Sequence, residues 1–92
     1  MPRFLELLEK QPVILFDGAM GTMLYTKGFY INRCFDELNL SAPQAVKEIH
    51  AEYVRAGVDV IETNTFGANR YKLEPHGFAD KVAEINYKGA KL

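Results

Sequence analysis

The residues that could take part in chemistry lie in two polar segments that contain glycine. Residues 17–22 (DGAMGT) directly follow the apolar run 13–16 (VILF), so a carboxylate and two glycines come at the end of a short predicted strand. Residues 64–69 (NTFGAN) follow a second predicted strand, 58–63 (VDVIET), in the same way. Because glycine lets backbone amides approach a small anionic ligand closely, the two segments predict part of the rim of an enzyme site.

The residues around these segments predict a strand–helix–strand unit. Strands are expected at 13–16 and 58–63, joined by a short helix at 20–25, a long loop at 29–40, and a helix that Ser41 caps and Gly57 ends. Such a unit has parallel strands and a right-handed crossover. Both polar segments would then lie at the same edge of the sheet, beyond the carboxyl ends of the strands.

Helical patterns flank this unit on both sides. Residues 3–10 predict a short amphipathic helix that ends before Pro12. A helical turn is expected at 69–73, and Asp80 is expected to cap a last helix with Val82 and Ile85 on its apolar face.

The fold class follows from the two parallel strands, which are not a stable sheet by themselves. The sequence predicts an α/β fold, the N-terminal portion of a (β/α)8 TIM barrel. Such a barrel needs about 250 residues and has its active site at the carboxyl ends of its strands. On this interpretation residues 1–92 hold the first two βα units and are an incomplete barrel. An open doubly wound sheet is the alternative, although residues 17–22 lack the G-x-G-x-x-G spacing of a dinucleotide site.

Composition and charge argue against several classes of partner. The net charge of −1 gives no electrostatic footprint for nucleic acid or for an acidic membrane surface. No apolar run approaches the ~20 residues that a spanning helix needs, so no membrane partner is expected. The single cysteine, Cys34, excludes an internal disulfide and fits a reducing cytoplasm.

Several separated motifs together resemble the homocysteine S-methyltransferase family. They are residues 17–22, 37–39 (ELN), 56–57 (AG) and 63–69 (TNTFGAN), and the similarity runs from about Val13 to the end of the sequence. Residues 32–39 (NRCFDELN) look most like bacterial proteins in which this domain is fused to a methylenetetrahydrofolate reductase. The first domain of the family's cobalamin-dependent enzymes is closely similar.

The resemblance implies a (β/α)8 barrel that transfers a methyl group to the sulfur of homocysteine, giving methionine. It also implies a zinc ion that holds this sulfur as the nucleophilic thiolate. The family's zinc ligands are cysteines in Gly-x-Asn-Cys and Gly-Gly-Cys-Cys-Gly segments, which these 92 residues lack. The ligands are therefore expected beyond residue 92, Cys34 is not expected to bind metal, and the 92-residue chain is expected to be inactive alone.

The implied partners are homocysteine and a methyl donor, with cobalamin, folate or FAD held by other domains of a full protein. The resemblance places no catalytic residue in this chain but assigns substrate contacts. Asp17 would accept a hydrogen bond from the homocysteine ammonium, and Gly18 and Ala19 would offer backbone N–H groups to its carboxylate. Thr65 would be a polar donor of the second segment.

Phe66 belongs to the same implied pocket, and Glu62 and Asn64 are possible rim residues. Each residue also has a structural interpretation. Asp17 could bind the amides of its own loop, Thr65 could satisfy its own backbone, and Phe66 is most simply explained by core packing. His50 is expected to be a surface or packing histidine on the helix after Ser41.

Two interpretations from other classes stay open. The chain could be a short, non-catalytic binding or assembly module that completes its sheet by oligomerisation, because exposed strand edges invite pairing. It could instead belong to an unrelated barrel enzyme whose glycine loop binds phosphate. The absence of a basic residue between Phe16 and Tyr25 argues against the second of these.

Overall fold

A computed structural model describes residues 3–30 and 32–92, in which helices make up most of the regular structure. The α-helices are α1 (Phe4–Lys10), α2 (Gly21–Thr26), α3 (Leu38–Ser41), α4 (Pro43–Ala56), α5 (Arg70–Leu73) and α6 (Val82–Lys91). Two 3-10 turns, Glu74–His76 and Ala79–Lys81, connect α5 to α6. None of these helices is long and apolar enough to cross a membrane.

The two predicted strands meet at one parallel bridge, between Phe16 and Val60. The Asp17 N–H donates to the Val60 carbonyl at 3.0 Å, and the Val60 N–H donates to the Leu15 carbonyl at 3.2 Å. The parallel direction is as predicted, but within residues 3–30 and 32–92 the pairing is too short to form a named strand. Because each segment has only one neighbour here and side chains such as Leu15 are exposed, little holds a longer ladder in place.

The long helix α4 is bounded by the signals that the sequence offers. Pro43 occupies its first turn, and Gly57 ends it with a φ of +102°, a left-handed conformation that favours glycine. The prediction that Ser41 caps α4 is wrong, because Ala42 holds that position. Ser41 instead ends α3, and its hydroxyl donates to the Glu37 carboxylate at 2.9 Å.

The remaining predictions of helix ends have mixed outcomes. The expected loop at 29–40 contains the start of α3, and Ile31 of that loop lies outside the described residues. Asp80 lies in a 3-10 turn and does not cap α6, which begins after Lys81. Asn69 does cap the predicted helical turn α5, and its side-chain oxygen accepts from the Lys72 N–H at 3.0 Å.

The core has two parts that meet at α3. Buried residues of the first part come from α2, α3 and α4: Leu24, Leu38, Val46 and Ile49. Buried residues of the second part lie around α5 and α6: Cys34, Ala68, Leu73 and Ile85. Helix α3 packs against both α4 and α6, so it joins the helix that lies under the first polar segment to the helix that lies under the second.

Candidate functional site

The parallel bridge brings the two polar segments side by side. Asp17 directly follows the bridge residue Phe16, and Glu62 lies two residues after Val60. The Asp17 Oδ2 atom accepts a hydrogen bond from the Glu62 N–H at 3.1 Å. The first predicted site residue and a predicted rim residue are therefore in direct contact.

Helix α4 supports the first segment from below through Tyr53. The Tyr53 hydroxyl donates to the Ala19 carbonyl at 2.6 Å, a short hydrogen bond that fixes the backbone of the segment. A Cβ atom at Gly18 would lie 3.1 Å from the Tyr53 hydroxyl oxygen and 3.5 Å from its ring. Gly18 therefore allows the close approach that this hydrogen bond requires.

His50 lies on the same helix and is only 5% exposed. The packing interpretation of this histidine therefore holds, and the surface interpretation does not. Burial lowers the pKa of the His50 imidazole, because the charged form loses its hydration, while the negative charge of Asp17 acts in the opposite direction. The His50 imidazole thus lies within electrostatic reach of the Asp17 carboxylate.

Asn64 of the second segment is buried and locked to α3. Its side-chain amide donates to the Phe35 carbonyl at 2.9 Å and to the Asn39 Oδ1 atom at 3.1 Å. The Asn39 amide donates in return to the Asn64 carbonyl at 2.8 Å and to the Ile85 carbonyl at 3.2 Å. The side-chain amide of the predicted rim residue Asn64 is therefore engaged in hydrogen bonds that hold the loop in place.

Thr65 contacts Thr63 and packs closely against α6. Its hydroxyl is 2.6 Å from the Thr63 hydroxyl, and either can be the donor. A Cβ atom at Gly89 would lie 2.8 Å from the Thr65 methyl carbon and 2.7 Å from the Asn39 amide nitrogen. The absence of a side chain at Gly89 lets α6 come close to the second segment.

Phe66 is 99% exposed, so the expectation that it packs in the core is wrong. The core behind this loop is filled by Ala68 and Leu73, which leaves the Phe66 ring outside. Glu62 is exposed as well. Phe66 and Asn64 line a cleft of about 590 Å³ together with Gly21 of the first segment.

Asp36 lies in the same cleft and ties it to the second segment. Its Oδ2 atom accepts from the Gly67 N–H at 3.0 Å, and a Cβ atom at Gly67 would lie 2.8 Å from its Oδ1 atom. Burial raises the pKa of the Asp36 carboxyl, while the Gly67 hydrogen bond and the nearby His76 act against this shift.

The structure arranges the seven predicted residues in two groups. Asp17, Gly18 and Ala19 lie over α4, with Glu62 against Asp17. The other group lies over α3 and α6 or at the cleft: Asn64, Thr65 and Phe66.

The sequence analysis did not identify the side chains whose hydrogen bonds support these two groups. The contact of the Tyr53 hydroxyl with Ala19 was not predicted, because no local signal on this helix indicates it. Asn39 belonged to a family-like motif (residues 37–39) but had no role, and only that motif could have pointed to it. Asp36 lies in residues 32–39, which carried only the family resemblance and assigned it no role.

The described residues do not fit a zinc site. No group of three or more His, Cys, Asp or Glu side chains in residues 3–30 and 32–92 could hold a metal ion. Cys34 is buried, and burial raises the pKa of its thiol, which disfavours the thiolate that zinc binds.

Comparison with known proteins adds two findings. The family model for homocysteine S-methyltransferase matches residues 14–92. The chain is 35% identical over 88 residues to a protein named methionine synthase from Mycobacterium tuberculosis (strain ATCC 25618 / H37Rv). It is 37% identical over 88 residues to a methionine synthase from Mycobacterium leprae (strain TN). Each match covers 89% of this chain and 7% of the relative, so the chain spans a small fraction of these relatives' length.

Proposed function

The chain belongs to the homocysteine S-methyltransferase family, and from this premise we propose that it supplies part of the homocysteine pocket of a methyltransferase that produces methionine. The proposed substrate part is the amino-acid end of homocysteine, which carries an ammonium and a carboxylate. The observation that carries the proposal is the contact of Asp17 with Glu62, which joins the two polar segments at one edge.

Asp17 is proposed to bind the ammonium group through its Oδ2 atom. This oxygen already accepts the Glu62 N–H and has a second lone pair for a donor from the ligand. Its partner oxygen, Oδ1, is buried and therefore faces the protein. A charge-assisted hydrogen bond between an ammonium and a carboxylate is stronger than a bond between neutral groups, so Asp17 would give the pocket its preference for an amino acid.

Gly18 and Ala19 are proposed to meet the substrate carboxylate with their backbone N–H groups. Both residues are exposed, and the Tyr53 hydroxyl fixes the carbonyl of Ala19 by a hydrogen bond. Successive N–H groups held in this way are a common means of binding an anion. Thr65 is proposed as a further polar donor and Phe66 as an apolar wall for the substrate chain.

The proposed architecture is the N-terminal portion of a (β/α)8 barrel. The parallel Phe16–Val60 bridge and the helix between its two segments support it. Large apolar side chains beside the bridge are exposed, among them Val13, Leu15 and Ile61. The packed interior and the outer helices of a barrel would cover them, because both faces of a parallel sheet are normally buried.

The proposed role of this chain does not extend to the reacting sulfur. Methyl transfer to a thiol requires the thiolate, and the described residues offer no metal-binding cluster that would stabilise it. Zinc ligands and the site of the methyl donor, whether it uses cobalamin, folate or FAD, are proposed to lie in other regions of a full-length protein.

The test is a pair of matched carboxylate variants in the full-length protein that contains this sequence. Asp17→Asn keeps an oxygen for the Glu62 N–H but removes the negative charge. Asp59→Asn does the same at the other end of the bridge, where the Asp59 Oδ2 atom accepts from the Leu15 N–H at 3.0 Å. Asp17→Asn is expected to weaken homocysteine binding about tenfold or more, and Asp59→Asn to leave it unchanged. Equal effects of the two variants would overturn the proposal.

A further inference from the structure

Two buried side-chain atoms stand out because they make no hydrogen bond to any residue that the structure describes: Asp17 Oδ1 and His50 Nδ1. Buried polar atoms are nearly always paired, because an unpaired one loses its hydration without compensation. One of these atoms can accept a hydrogen bond, and the other can donate one in the appropriate tautomer of a neutral imidazole.

The spacing on α4 places His50 on the side of the helix that faces the first polar segment. His50 and Tyr53 are three residues apart on this helix, so they lie on the same face one turn from each other. Tyr53 contacts Ala19, which places the start of the polar segment over the turn that carries His50. The effect of the Asp17 charge on the imidazole agrees with this placement.

The two oxygens of Asp17 have different surroundings. Oδ2 is held by the Glu62 N–H on the side of the second segment. Oδ1 is buried and has no contact with solvent, so a ligand cannot reach it without a rotation of the carboxylate. A partner for Oδ1 is therefore expected from the buried side of the carboxylate, and His50 Nδ1 is the other buried atom without a partner among the described residues.

We propose that His50 is a positioning residue for Asp17. The His50 Nδ1–H would donate to the Asp17 Oδ1 atom, either through one bridging water or directly after a small rotation of the imidazole ring. This contact would fix the carboxylate plane so that Oδ2 faces the substrate ammonium. The inference rests on the proposed function, because it assigns His50 a role only through the substrate contact of Asp17. A single water that joins two buried polar groups is nearly as favourable as a direct hydrogen bond.

The test uses two substitutions of His50 in the full-length protein. His50→Asn retains a side-chain amide near the position of Nδ1, and His50→Leu retains volume but no donor. His50→Leu is expected to raise the dissociation constant of homocysteine about tenfold, and His50→Asn to restore it to within about twofold of the parent value. Ile49→Val, a change in the adjacent buried residue, is the control and should leave homocysteine affinity unchanged.

The same assay separates this inference from the proposed function. If Asp17→Asn does not weaken homocysteine binding, the role of Asp17 fails and the role of His50 fails with it. If Asp17→Asn weakens binding but His50→Leu binds like the parent protein, only the positioning role is overturned. Equal losses for His50→Asn and His50→Leu would also overturn it, because the donor would then be irrelevant. In the Asp17→Asn background, His50→Leu should cause no further loss.

A measurement on the unmutated protein keeps the inference testable if His50→Leu does not fold. Selective ¹⁵N labelling of histidine reports by NMR which ring nitrogen carries the proton. We expect His50 to be the Nδ1–H tautomer in the folded protein. A neutral His50 with its proton on Nε2 would overturn the inference, because Nδ1 would then be a second acceptor facing the carboxylate.

Discussion

Asn39 and Asn64 hold each other by reciprocal hydrogen bonds, although they are far apart in the sequence. The Asn39 amide donates to the Asn64 carbonyl at 2.8 Å, and the Asn64 amide donates to the Asn39 side-chain oxygen at 3.1 Å. Asn39 is 1% exposed and also donates to the Ile85 carbonyl. One side chain of α3 thus fixes both the second polar segment and α6.

Loss of the Asn39 side chain should destabilise the protein strongly. Asn39→Ala leaves the buried Asn64 and Ile85 carbonyls without this donor and opens a cavity, so we expect a loss of about 2–4 kcal/mol in the free energy of unfolding. Asn69→Ala removes a helix cap at an exposed position and should cost about 1 kcal/mol. Urea unfolding of both variants measures the difference. Equal losses in the free energy of unfolding would show that the buried contacts of Asn39 contribute no more to stability than the exposed cap.

Gly89→Ala should destabilise the protein although alanine is the better helix former. The added Cβ atom would lie 2.7 Å from the Asn39 amide nitrogen and 2.8 Å from the Thr65 methyl carbon. Helix propensity alone predicts a gain of about 1 kcal/mol, whereas forced repacking of a buried contact costs about 1–3 kcal/mol. We expect a net decrease in melting temperature. An increase would mean that α6 does not approach Asn39 this closely.

The hydroxyl of Tyr53 should matter for both stability and binding. Tyr53→Phe removes only the donor to the Ala19 carbonyl, so we expect a loss of about 1 kcal/mol in the free energy of unfolding. Homocysteine binding should weaken too, because Ala19 is proposed to bind the substrate carboxylate. Tyr25→Phe, at an exposed tyrosine, is the matched control. Similar affinities for the two variants would argue against the role of Ala19.

The buried imidazole of His50 should make stability depend on pH. Burial lowers its pKa below the ordinary value of 6.5, so below pH 6.5 the unfolded chain binds a proton more readily than the folded protein does. This group therefore lowers the free energy of unfolding as pH falls from 6.5 toward the pKa of the folded state. His50→Asn should lack this contribution. Urea unfolding of both proteins between about pH 8 and about pH 5 tests it, and identical slopes would contradict it.

The sequence predicted those parts of the fold that depend on local signals. Pro43 and Gly57 bound α4 because a proline in the first turn and a left-handed glycine act within their own few residues. The Ser41 cap failed because the hydroxyl of Ser41 bonds Glu37 of the preceding turn. Both outcomes reflect local chemistry, and in the second case two local partners competed for the same residue.

The contacts beneath the candidate site depend on residues far apart in the sequence. The rule that the ends of parallel strands lie at the same edge was enough to predict that Asp17 lies near Glu62. It could not indicate that Asn39 supports Asn64, or that Tyr53 and His50 face the first segment, because these contacts arise only when the helices pack. The exposure of Phe66 was missed for a related reason, since its neighbours Ala68 and Leu73 occupy the core instead.

The most direct test of the central claim compares homocysteine with its desamino analogue, 4-mercaptobutanoate, in the full-length protein. If the Asp17 carboxylate binds the substrate ammonium, the parent protein should bind homocysteine more tightly than the analogue. Asp17→Asn should remove most of this preference while it leaves the affinity for the analogue almost unchanged. An undiminished preference for homocysteine in the Asp17→Asn variant would contradict the assignment of Asp17 to the substrate pocket.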